Sequence, residues 1–147
     1  MKTLVIFSTF FLIANISSGQ TTLQKDSLSS SEIKSIFKSI LEFPNFQQYY
    51  HTDTDSSRKQ IVFQDFNYAK HNNLQGVIKF GKQVLVLTKE EIKKRNIKNY
   101  FILNNWLYEP NSIKLQLSYV GEGLIVSYIF KKMNNAWVIT DSKLVEQ

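Results

Sequence analysis

Between Ser31 and Phe43 the chain reads SEIKSIFKSILEF, and Ile33, Ile36, Phe37, Ile40 and Leu41 recur at the spacing that gives a helix one apolar stripe. Ser29 and Glu32 form a capping box, Leu28 and Ile33 a hydrophobic staple, and Pro44 stops the helix after Phe43. Residues 45–59 are polar and aromatic without a period and are expected as loop, with a strand near residues 58–66. GVIKF and QVLVL flank Gly81-Lys82, which predicts a hairpin over residues 76–87 closed by a type II′ turn. Thr88 and Glu91, with Leu87 and Ile92, repeat the capping box and staple and start a short second helix. A strand of about residues 98–108 follows, then a turn at Glu109-Pro110-Asn111-Ser112.

The closing segment is the most strongly patterned. With a loop at Gly121-Glu122, paired positions sum to 243, placing Tyr119 opposite Leu124, Leu117 opposite Val126, Leu115 opposite Tyr128 and Ile113 opposite Phe130. A turn at Asn134-Asn135, residues that tolerate positive φ, gives a sum of 269 and sets Phe130 opposite Ile139 and Lys132 opposite Trp137. Both hairpins then share one apolar face, and a slip of one residue would bury Lys114 and Lys131. The whole pattern predicts an α+β fold: an N-terminal helix packed on a curved antiparallel sheet, a second short helix and a C-terminal three-stranded meander.

The first 19 residues, MKTLVIFSTFFLIANISSG, have the layout of a secretory signal peptide: Lys2, an apolar run, then Ser17 and Gly19 before Gln20. Leu4 to Ile16 would span only about 20 Å as a helix, short of the roughly 30 Å of bilayer hydrocarbon. Cleavage leaves 128 residues (147 − 19), read as a polar tail over 20–28 and one domain over 29–147, with no membrane span. Export to the periplasm or the exterior follows. With no cysteine, stability must come from packing and not from disulfides.

Loss of Lys2 takes the net charge from +6 to +5, a modest excess that hints at acidic partners without demanding them. The basic run KEEIKKRNIK pairs Glu90 with Lys94 and Glu91 with Arg95 at i,i+4, as a solvated helix face does. Nucleic-acid stacking is disfavoured because Tyr128, Phe130 and Trp137 fall on the lysine-poor face.

The order of elements resembles the cystatin-like or nuclear-transport-factor-two-like α+β fold. More closely, GKQVLVLTKEEI followed by YVGEGLIVSYIFKKMNNAWVI is similar to small exported bacterial proteins of uncharacterised function. That likeness covers roughly residues 29–147, implies a fold and carries no active site.

His51, Asp53, Asp55 and Ser57 alternate as oxygen and nitrogen donors, but an EF-hand loop beginning at Asp53 would need glycine and a bidentate acid where Arg58 and Gln64 stand. A solvated loop is favoured over an irregular cation site. His71 has no nucleophilic partner in a serine elbow, and the scattered glycines form no phosphate loop. No catalytic residue, metal or cofactor is assigned. The candidate ligand-lining residues are Tyr119, Tyr128, Trp137 and Asp141, the last falling opposite Tyr128 if the register runs unbroken. A β-bulge at Thr140-Asp141-Ser142 would instead turn Asp141 outward and bring Leu144 in. The leading expectation is a non-enzymatic exported protein that binds a partner protein or a small apolar ligand. The alternatives are a pocket enzyme of the isomerase or cyclase type, or an inhibitor acting through residues 45–59 or 104–112.

Overall fold

A computed structural model describes residues 28–66 and 74–147. The expected signal peptide, nearly all of the polar tail and His71 lie outside the described residues. Helix α1 (Ser30–Glu42) begins at the Ser29/Glu32 capping box and buries Ile33, Ile36, Phe37, Ile40 and Leu41. A 3-10 helix, Pro44–Tyr49, follows it and buries Phe46. A second, Ser56–Lys59, leads into β1 (Val62–Gln64).

The expectation of an antiparallel sheet ending in a three-stranded meander is corrected here. The described residues are mostly sheet, with six strands in the order β4 (Leu85–Leu87), β1, β5 (Phe101–Glu109), β6 (Ser112–Tyr119), β7 (Leu124–Met133) and β8 (Ala136–Glu146), and a separate two-stranded ribbon of β2 (Ile78–Lys79) and β3 (Lys82–Gln83). Strand β1, second from one edge, runs parallel both to β4 (Leu85–Leu87) and to β5 (Phe101–Glu109), so the sheet is mixed. Helix α2 (Lys89–Lys94) supplies the crossover that returns the chain from one side of β1 to the other. Its Ile92 closes over Val62 and Leu87 in a small apolar cluster joined by Leu85, Ile97 and Tyr100. β5, β6 (Ser112–Tyr119), β7 (Leu124–Met133) and β8 (Ala136–Glu146) form the antiparallel part, four strands and not three.

The mid-chain hairpin also differs. β2 (Ile78–Lys79) and β3 (Lys82–Gln83) turn at Phe80-Gly81, both with positive φ, one residue earlier than the glycine-first reading. Two consecutive positive φ values define the I′ geometry. Phe80 tolerates it because its ring packs edge-on to Tyr50 at 5.0 Å. Leu85–Leu87 then leave the hairpin to join β1.

In the closing strands Tyr119 pairs with Leu124, Leu115 with Tyr128 and Ile113 with Phe130, although the β6–β7 turn runs over Val120–Gly123. Phe130 pairs with Ile139 and Lys132 with Trp137, across a turn in which Asn134 and Asn135 have φ of 48° and 62°. Beyond Ile139 one residue is inserted: Ile129 pairs with Asp141 and Tyr128 with Ser142, leaving Thr140 as the bulge. The inner face joins α1, Phe46 and Tyr50 in one core of stacked rings, Phe101 on Tyr119 at 4.5 Å and Phe63 on Phe101 at 4.9 Å. Among the described residues no helix is long and apolar enough to cross a membrane.

Candidate functional site

One end of the sheet, where Tyr50–Lys59 meets the β6–β7 turn, gathers charged side chains from distant parts of the chain. His51 has a φ of 48° and its carbonyl accepts from the N–H groups of Thr54 and Asp55, which turns the backbone back on itself. Asp55 then caps the 3-10 helix, accepting from Ser57 N at 2.9 Å and Ser57 Oγ at 2.6 Å. Its second oxygen accepts from Arg58 Nε at 3.3 Å. These hydrogen bonds from Ser57, with Arg58 adding to them, hold the Asp55 carboxyl below the usual carboxylate range.

Arg58 reaches across to Glu122 in the β6–β7 turn, its Nη1 donating to Oε1, and the other Glu122 oxygen lies 3.5 Å from His51 Nε2. The hydrogen bond to Glu122 raises the Arg58 guanidinium further above its ordinary range. Beneath it Tyr119 is pushed up to about 12 by burial, which the neighbouring guanidinium partly offsets. The turn sits close against the segment leading into β5: a Cβ on Gly121 would lie 1.8 Å from Asn99 Oδ1, so a larger residue there has to push the Asn99 side chain aside.

Two clefts open on either side of the Arg58–Glu122 pair. The larger, about 550 Å³, has walls from Asp55 to Gln60 and from Arg95 to Asn99, with Val62 and Gly121 also lining it. Arg95, in 3.7 Å contact with Glu91, and Lys98 set two cations against the amides of Asn96 and Asn99. The smaller, about 410 Å³, is lined by Tyr49, His51, Glu122 and Glu146, with Tyr49 donating to Glu146 at 2.9 Å. Arg58 is held by two carboxylates, so the larger cleft offers cationic and amide contacts over an apolar patch.

Of the residues the sequence singles out, Tyr119, Tyr128 and Trp137 share the inner face but are filled in, at 2 %, 1 % and 4 % exposure. Tyr128 meets Phe43 edge-on at 5.5 Å, and Trp137 donates from Nε1 to Glu32 at 3.1 Å. Asp141 is not brought to them: the Thr140 bulge puts it opposite Ile129 on the outer face, exposed, while Leu144 is half-buried against the core. Among the described residues no group of three His, Cys, Asp or Glu is placed to hold a metal ion. No motif joined Arg58, Glu122, Arg95 and Lys98: the sequence showed a polar stretch from His51 to Ser57, a loop at Gly121-Glu122 and a basic run over residues 89–98, and nothing in it marked that the three meet.

Comparison of the chain with protein-family models, with curated proteins and with solved structures finds no match.

Proposed function

We propose that this is a small exported binding protein, without catalysis of its own, that takes an acidic ligand or partner segment in the cleft between Arg58 and Lys98. The supporting observation is the contrast between the sheet's inner face, occupied by its own rings, and the open cleft of about 550 Å³ at its end. An acidic peptide suits that cleft: carboxylates can meet Arg95 and Lys98, the backbone can hydrogen-bond to Asn96 and Asn99, and an apolar side chain can rest on Ile97 and Val62. Residues 45–59, the segment an inhibitor would use, supply one wall. The enzyme reading has less support, because the histidine in contact with a carboxylate, His51, shares Glu122 with Arg58. Export rests on the apolar leader ending at Ser17 and Gly19.

Two measurements test this. The intact mass of the exported protein should correspond to residues 20–147, and retention of residues 1–19 would refute the leader. In amide NMR spectra a glutamate-rich peptide should shift Arg95–Asn99 and Gly121, a lysine-rich peptide should not, and Arg95→Glu with Lys98→Glu should abolish the response. Shifts confined to other surfaces would displace the site.

A further inference from the structure

The two edges of the six-stranded sheet are unlike. β4 is three residues long and passes at once into α2, whereas β8 runs for eleven residues with β7 as its one neighbour among the described residues. A long free edge presents unpaired backbone groups and is a template for another strand. The direction of those groups follows from the ladder. Gln147 N donates to Gly123 O at 2.9 Å, so the N–H groups of Val145 and Lys143 also point toward β7, and those of Ser142, Leu144 and Glu146 point away.

We infer that β8 pairs with β8 of a second copy of this chain, antiparallel, about a two-fold axis through Ser142. In that register Ser142 exchanges both backbone hydrogen bonds with its counterpart. The flanking, non-hydrogen-bonded pairs, in which side chains approach most closely, set Asp141 against Lys143 twice. Both side chains are exposed and on the same outer face, opposite Ile129 and Ser127 of β7. Opposite charges two residues apart on one face are what an antiparallel strand needs to complement itself. Centring the axis on Lys143 would instead place like charges together.

The bulge at Thr140 limits the ladder. It leaves Asp141–Glu146 straight but bends the strand where Trp137–Ile139 would have to continue the pairing. A closed two-fold pair can form there, while an open-ended stack of edges is discouraged. So short a ladder implies weak association, with a Kd in the high micromolar range.

Sedimentation equilibrium over a concentration series tests this on the purified protein. We expect a monomer–dimer equilibrium that Asp141→Lys or Lys143→Asp alone weakens about tenfold and that the double exchange restores. Hydrogen exchange should slow with concentration at the Ser142 amide, the outward-pointing one inside the short ladder, and not at Lys143 or Val145. Rescue by the exchange also separates pairing from a loss of folding. A monomer at every concentration, or a dimer indifferent to both single reversals, overturns the inference; the first result would leave the edge to a strand of another protein.

Discussion

Trp137 and Glu32 are separated by 105 positions, yet the indole Nε1 donates to the carboxylate Oε1 at 3.1 Å, and Lys132 Nζ reaches the same oxygen at 3.0 Å. Glu32 also closes the capping box of α1. One carboxylate therefore ties the first helix to the last strand of the sheet.

That tie should titrate. Hydrogen bonds from the Ser29 backbone and from Lys132, the largest contributions, hold the Glu32 carboxyl down at about 2. A depressed folded pKa stabilises above the ordinary glutamate value of about 4.3 and is lost as pH falls through the folded one. Glu32→Gln should lower Tm at pH 7, and the gap to the parent should narrow below about pH 4.3 and close near pH 2. Thermal melts at those values check it; a gap that is constant with pH would separate Glu32 from the acid response.

Trp137 is 4 % exposed, so Trp137→Ala should cost about 3–5 kcal/mol. Lys131→Ala, on the exposed outer face opposite Val138, should stay within about 0.5 kcal/mol. Urea unfolding of the two variants is the comparison, and equal small effects would contradict the register.

The parity of the closing strands could be read from sequence because each pairing is fixed by a short turn, and a one-residue slip would have buried Lys114 and Lys131. Both helix starts were equally plain, since Ser29/Glu32 and Thr88/Glu91 carry their caps within four residues. β1 and β4 were not: three residues each, they find each other in parallel with no turn to mark the pairing. At Phe80-Gly81 the edge-on contact of the partly buried Phe80 ring with Tyr50 outweighed the preference for glycine in the first turn position. The clefts were hidden for the same reason as β1, because Arg58 and Glu122 meet only when the sheet has formed.

Arg58→Ala would leave the partly buried Glu122 carboxylate and Asp55 without their cation. A loss of about 1–3 kcal/mol is expected, as for a charged group stripped of its partner. Amide exchange should accelerate in residues 51–58 and 120–123 while the β6–β7 ladder stays protected. Unchanged exchange in those loops would mean that the pair does not order them.

Gly121→Ala forces Asn99 aside, since the new methyl would overlap Asn99 Oδ1. The cost should be about 1 kcal/mol, because the atom in the way is a side-chain end that can rotate. Asn99→Ala in the same chain should recover most of it, and failure to recover would place the clash in the backbone. The double-mutant cycle is read from Tm.

The position of β1 between two strands that follow it in the chain also bears on time. β5 to β8 join neighbours in sequence across tight turns, so their pairing can form within microseconds of collapse. β1 must wait until the chain has come round once to deliver β4 and again, through α2, to deliver β5, and such distant parallel pairings are slow. The walls of the larger cleft hang on this late seam, Val62 from β1 and Arg95–Asn99 from the crossover. During refolding, native hairpins should precede the cleft, and a probe in Val62 should lag one in Val126.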